Sequence, residues 1–230
     1  GFSYLLRARV RDSSVPYKET VKDFTLLYDT ATPTAVISSP RHLSYKTGVV
    51  VLSGTSYDPD PAGAPANSGV STVTLSIQRM ANGNCYVPGG SFTAPCPNYF
   101  AANGNLNPWS YTPPGTPFAN GESYVVVAKA SDTAQNAQGN FGVDVSSMTF
   151  FYDTDAPSVV VTVPVTGRTK GMTYLNGTAG DLAPGKLVKV EVRVRRLTAP
   201  VQYWDPVTNG GEFNAIGLEG AWFTAASSEA

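Results

Sequence analysis

Charged side chains are scarce in this 230-residue chain. They make up 14% of it, with 16 basic and 17 acidic residues and a formal net charge of −1, whereas a typical globular domain has about 25%. Because neither sign dominates, the chain has no field of the kind that gathers nucleic acid or anionic lipid. We therefore expect no nucleic-acid partner.

Long hydrophobic runs and catalytic signatures are also missing. No stretch of about 18 consecutive apolar residues occurs, so we expect no membrane contact by this segment. The single histidine, His42, follows Pro40 in a turn and has no defined Ser or Cys partner for a catalytic triad. No phosphate-binding glycine motif is present, and no pair of carboxylates is marked as a glycosidase site. The sequence predicts a protein that is not an enzyme.

Only two cysteines occur, Cys85 and Cys96, and they bracket a stretch that contains proline and glycine. They form either a disulfide that clamps a hairpin or two free thiols, and the first is typical of oxidising compartments. We expect the disulfide. A zinc site is excluded because no other cysteine exists and His42 is distant in sequence.

What the chain has in abundance is two-residue periodicity. Val73, Leu75 and Ile77 alternate with polar residues, and Val188–Val194 repeats the pattern with four valines at every second position. Alternation over four to eight residues predicts half-buried strands, and Asn-Gly turns punctuate them. No segment has a helical period. The sequence therefore predicts an all-β sandwich or barrel.

The chain also repeats itself. Residues 1–12 resemble residues 121–132, and the Tyr-Asp-Thr stretch at 28–33 recurs at 152–157. A repeat of about 120 residues has the size of a whole domain. We predict that residues 1–30 are the last strand pair of one module, that 31–154 form a complete module, and that 155–230 begin a third.

Strands are predicted at fixed places in these modules. In the complete module they are expected at 35–38, 49–54, 70–79, 109–112, 123–131 and 145–152, and in the third at 159–163, 172–177 and 187–197. The incomplete end modules have two explanations: the chain is a window from a longer repeat protein, or residues 1–30 of one copy complete residues 157–230 of another by strand donation.

The motifs resemble those of bacterial immunoglobulin-like repeats. The shared features are the Tyr-Asp-Thr-x-x-Pro junction, a Ser/Asn-Gly-Thr motif at 53–55 and 176–178, and a late Trp-Ser-Tyr at 109–111 with a divergent partner at 222–224. In the loop at 130–136, Gln135 stands where the family has glycine. The resemblance implies tandem immunoglobulin-like β-sandwich modules in a large extracellular or cell-surface bacterial protein. It also implies calcium at the junctions between modules.

An immunoglobulin-like module would bring several oxygen ligands to one pole. The candidates are Asp29 from the linker, Asp58 and Asp60 from one loop, and Asp132 and Asn136 from another. Carboxylates that meet repel one another unless a cation lies among them, and calcium accepts six to eight such oxygens. The alternative is that these residues cap turns through their own backbone.

Aromatic residues are the other candidates for a site. Tyr86, Trp109 and Trp204 lie in the irregular parts of the modules and could stack on a sugar or a protein partner; alternatively, they fill the core. We predict a non-enzymatic stalk, adhesin or filament segment whose partners are neighbouring modules or copies of the same protein. The alternative is a carbohydrate- or protein-binding accessory module of a secreted enzyme.

Overall fold

The computed structural model describes residues 2–60, 67–165, 167, 170–172, 174–206, 211–214 and 221–226. These residues form nineteen β-strands and no helix, which confirms the all-β prediction. Accordingly, the described part of the chain contains no helix able to cross a membrane. The chain divides into two compact units, residues 1–154 and residues 155–230.

The first unit begins with a long antiparallel hairpin of β1 (Phe2–Arg11) and β2 (Glu19–Tyr28). Phe2 lies opposite Tyr28, and the pairing continues without interruption to Arg11 opposite Glu19. Every residue of both strands is exposed. The hairpin is therefore a two-stranded sheet that has no covered face in this unit.

Two larger sheets follow in residues 34–152. Their strands are β3 Thr34–Ser39, β4 Ser44–Lys46, β5 Leu52–Tyr57, β6 Val70–Arg79, β7 Cys85–Val87, β8 Ser91–Ala94, β9 Phe100–Ala101, β10 Trp109–Tyr111, β11 Glu122–Asp132 and β12 Ser147–Tyr152. Strands β10, β5 and β3 form one sheet, and the other has the order β4-β12-β11-β6-β7-β8, with β9 also paired to β6. Only β4 and β12 pair in parallel among these strands.

The two sheets share one hydrophobic core, an arrangement consistent with a β-sandwich. Alternate residues of the longer strands face this core. In β11, for example, Tyr124, Val126, Ala128 and Ala130 are buried, and the residues between them are partly exposed. Burial of each large apolar side chain contributes about 1.5–3 kcal/mol. The predicted inward face of β6, formed by every second residue from Val73 to Ile77, is confirmed.

Some predicted strands are displaced. The strand expected at 49–54 is β5 at Leu52–Tyr57, and β4 was not predicted. The strand expected at 187–197 is replaced by β15 (Glu191–Val192) and β16 (Arg195–Arg196). These two short strands pair with different partners, so the chain changes sheets between them and the alternating valines do not line one continuous strand.

The second unit contains three small sheets: β13-β14, β15-β19 and β16-β17-β18. Its first strand is exposed over most of its length. Besides β15 and β16, its strands are β13 Ser158–Val163, β14 Asn176–Gly180, β17 Gln202–Asp205, β18 Glu212–Asn214 and β19 Phe223–Thr224.

Strand registers recur at the repeat spacing. Four pairs from Thr34 opposite Tyr57 to Ile37 opposite Gly54, followed by a bulge, match four pairs from Ser158 opposite Gly180, followed by a bulge at the same point. In addition, the first six pairs of the β1–β2 hairpin correspond one for one to the six pairs of β11 with β12. The sequence repeat is thus also a repeat of backbone pairing.

Candidate metal site

Three aspartates meet where three different segments end. Asp29 follows β2, Asp58 follows β5, and Asp132 is the last residue of β11. Each offers a carboxylate oxygen within 4.8 Å of the other two. The three come from distant points of the sequence, so the fold itself, rather than a local turn, assembles this acidic triad.

Asp29 ties the linker after the hairpin to the loop before β6. Its Oδ1 accepts a hydrogen bond from the N–H of Ala31 (3.0 Å), and its Oδ2 accepts one from the N–H of Ser68 (2.6 Å). These hydrogen bonds favour the ionised form and lower the pKa of the Asp29 carboxyl. The bond to Ala31 is the local turn that the alternative interpretation expected, yet the bond to Ser68 bridges 39 residues.

Asp132 is buried and held by Asn136. The backbone N–H and the side-chain Nδ2 of Asn136 donate to Oδ1 and Oδ2 of Asp132, both at 2.7 Å. The same Nδ2 donates to the backbone oxygen of Asp29 at 3.1 Å. Asn136 therefore orients Asp132 and fastens the loop to the linker through its N–H groups; in this arrangement it supports the triad rather than offering it an oxygen.

Of the three carboxylates, that of Asp58 has its negative charge least balanced by hydrogen bonds. Its Oδ2 accepts a hydrogen bond from the N–H of Gly69 at 2.9 Å, whereas its Oδ1 is buried without a hydrogen-bond partner among the described residues. Burial raises the pKa of Asp58, and the charges of Asp29, Asp132 and Asp60 raise it further against the opposing Gly69 bond. Asp60 itself is exposed and lies outside the triad.

The triad can accept a hard cation. A divalent ion would neutralise the mutual repulsion of the carboxylates and give the Asp58 Oδ1 a partner, and oxygen ligands on flexible loops suit calcium. The second unit has a parallel feature: Asp181, which follows β14 as Asp58 follows β5, also has a buried Oδ1 without a hydrogen-bond partner among the described residues.

The predicted disulfide is confirmed. Cys85 of β7 is bonded to Cys96, with a Cα–Cα distance of 5.1 Å. The Nδ2 of Asn98 donates to the backbone oxygen of Tyr86 (2.8 Å), which provides a second attachment for the segment between the two cysteines. An open pocket of about 200 Å³ lies beside the bond, lined by Tyr99 and Val127 among others.

Removal of this disulfide is expected to be costly. The double substitution Cys85→Ser and Cys96→Ser should lower the free energy of unfolding by about 2–3 kcal/mol, because it frees a short loop in the unfolded chain. Urea denaturation of both proteins measures this difference. The reduced wild-type protein should match the double variant, and an unchanged midpoint would contradict the prediction.

The stacking role predicted for Tyr86 and Trp109 is wrong. Their side chains are 0% and 1% exposed and lie in the core. Tyr86 contacts the rings of Phe92, Phe100 and Tyr111. Core packing prevails because the short strands β7 to β10 bring few aliphatic residues to the centre, and large rings fill that volume.

Trp204 remains a candidate for stacking. It is partly exposed, and its ring meets that of Phe213 edge-on with centroids 5.4 Å apart.

Sequence reasoning missed Ser68 and Gly69, whose backbone N–H groups hold Asp29 and Asp58. Backbone donors carry no signal in residue type, apart from the turn tendency of the Asn-Ser-Gly stretch in which they lie.

Comparison with known proteins adds no relative. No family model matches the chain, and no curated protein matches it.

Proposed function

We propose that this chain is a non-enzymatic structural segment of an extracellular bacterial repeat protein, built from tandem immunoglobulin-like modules. The observation that carries the proposal is the coincidence of strand registers, in which β1–β2 matches β11–β12 and β3–β5 matches β13–β14. Copied backbone pairing suits a protein that gains length and regular spacing from repetition. The disulfide is compatible with an oxidising, extracellular setting.

The immunoglobulin-like assignment is supported by topology. The sheets β10-β5-β3 and β4-β12-β11-β6 divide the strands much as an immunoglobulin-like sandwich does. At the start of β11 the hydroxyl of Tyr124 accepts a hydrogen bond from the N–H of Ala119, five residues upstream, at 2.7 Å. This contact is similar to the tyrosine corner of such folds.

In this proposal the acidic triad is a calcium site that stiffens the junction before the module. Asp29 belongs to the linker, while Asp58 follows β5 and Asp132 ends β11, both within the module. An ion bound to all three would restrain the linker against the module. A restrained linker would keep a stalk, adhesin or filament extended, which free rotation between modules would not.

Calcium should therefore raise the melting temperature. At a calcium concentration one hundred times the dissociation constant, the free energy of unfolding should rise by about 2.7 kcal/mol, or roughly 5–11 °C for a protein of this size. Calorimetry with calcium or with a chelator measures the shift. Asp58→Asn should abolish the response, whereas Asp60→Asn, in the same loop but outside the triad, should keep it.

The direction in which Asp58→Asn shifts the melting temperature in the absence of calcium gives a second test. Asp58→Asn should raise the chelator-treated melting temperature, because it removes a partly buried charge that neighbouring carboxylates repel. If Asp58 had only a structural role, the same substitution would lower the melting temperature of the protein. If calcium leaves the wild-type melting temperature unchanged, the ion has no place in the junction.

One alternative has an observation in its favour. The partly exposed Trp204, whose ring meets that of Phe213 edge-on, fits a carbohydrate- or protein-binding accessory module of a secreted enzyme. Glycan-array binding that is lost in Trp204→Ala, with the melting temperature retained, would favour this alternative over the structural one.

A further inference from the structure

The two faces of the β1–β2 hairpin differ in chemistry. One face has cross-strand ion pairs: Arg7 donates to both carboxylate oxygens of Asp23 at 2.8 Å, and Arg11 pairs with Glu19. The opposite face is almost entirely apolar. All of its large apolar side chains are exposed, namely Phe2, Tyr4, Leu6, Val10, Phe24, Leu26 and Tyr28.

The complete module shows what covers such a face. Tyr4, Leu6 and Leu26 are 49%, 53% and 49% exposed, whereas the residues at the same register positions in β11–β12, Tyr124, Val126 and Phe150, are each 0% exposed. These lie in the core that β11–β12 shares with the sheet β10-β5-β3, and β3 packs against β11. The apolar face of β1–β2 therefore suits a sheet of the β3–β5 kind.

The chain carries a second sheet of that kind. The pairing of β13 with β14 has the same register and the same bulge as that of β3 with β5. Val159 and Val161 are 67% and 66% exposed, whereas Ala35 and Ile37 at the equivalent positions are 0% and 3% exposed. The chain thus has two exposed apolar faces that correspond to the two facing layers of one sandwich.

We propose that the apolar face of β1–β2 in one copy of the chain packs on the apolar face of β13–β14 in a second copy. The inference rests on the proposed function, in which both hairpins derive from immunoglobulin-like modules. Association would occur between sheet faces, as it does between the two sheets that share the core of residues 34–152. The contact joins two unlike surfaces, so it can extend from copy to copy.

Sedimentation equilibrium on the 230-residue chain tests this docking. We expect a mass of at least two chains, each 24.2 kDa, at micromolar concentration. Leu6→Asp or Val161→Asp should each weaken association at least ~10-fold, because an unpaired charge would enter an apolar contact. Leu5→Asp and Val160→Asp, on the opposite faces of the same strands, are the matched controls and should associate as the wild type does.

Mixing the two disrupted variants identifies the surfaces. Leu6→Asp copies keep an intact β13–β14 face and Val161→Asp copies keep an intact hairpin, so an equimolar mixture should form a one-to-one pair. A wild-type chain that remains a monomer at every concentration overturns the proposal, as does self-association of Val161→Asp alone, which would indicate contact between hairpins. The calcium-dependent melting shift is intramolecular, so it tests the proposed function independently of this result.

Discussion

Gly54→Ala is expected to lower the free energy of unfolding of residues 34–152 by about 3 kcal/mol or more. A Cβ atom at Gly54 would overlap the backbone oxygen of Val36 and would lie 2.5 Å from the ring of Trp109. Neither neighbour can move away. Val36 is paired with Thr55 in the sheet, and the Nε1 of Trp109 donates to the backbone oxygen of Thr55 at 3.0 Å. The melting temperature should fall by roughly 6–12 °C.

Gly139→Ala is the matched control for this substitution. A Cβ atom at Gly139 meets no described atom within 4 Å, and its backbone does not have a positive φ, so the change should alter stability by less than about 0.5 kcal/mol. Thermal unfolding followed by calorimetry compares the two variants. Equal melting temperatures for both would show that the close approach of β5 to β10 is not rigid.

Gln138→Ala should be similarly destabilising, by about 3 kcal/mol. Gln138 is a buried polar residue, 5% exposed, whose Oε1 accepts hydrogen bonds from the N–H groups of Ala35 (2.9 Å) and Ala130 (3.3 Å). Its Nε2 donates to the hydroxyl of Ser146 at 2.7 Å. Alanine would leave two buried N–H groups without partners, each at a cost of about 1–3 kcal/mol.

Gln78→Ala provides the comparison for Gln138. Gln78 is partly exposed and its Nε2 donates one hydrogen bond, to the oxygen of Gly83 at 3.0 Å, so its loss should cost under about 1 kcal/mol. Urea denaturation gives both values. A Gln138 variant as stable as the Gln78 variant would mean that water satisfies the freed N–H groups.

Sequence periodicity was sufficient to locate the long strands, because burial on one face imposes a two-residue pattern. It placed β6 at its observed bounds and β11 and β12 to within one or two residues. It failed for β7, β8 and β9, which have four residues or fewer. Strands this short contain too few alternations to show a period. Their existence depends on pairing partners, which are β6 for β7 and β9 and β7 for β8.

The acidic triad was predictable only in part. Carboxylates in turn sequences drew attention to Asp29, Asp58 and Asp132, and the fold brings these three together. Asp60 has the same residue type in the same loop yet is exposed, because direction within a loop depends on backbone geometry that composition does not encode. Gln138 gave no signal, since a lone glutamine in a polar loop resembles a surface residue.

The outer edge of β3 is occupied by the chain's own loop. Gln138 accepts from the N–H of Ala35, and the oxygen of Val145 accepts from the N–H of Ile37 at 2.8 Å. An open strand edge recruits any compatible strand, and in the proposed array of tandem modules the nearest compatible strand would belong to an adjacent module. By occupying those N–H groups, the loop at 138–145 would protect such an array against misfolding between neighbours during synthesis.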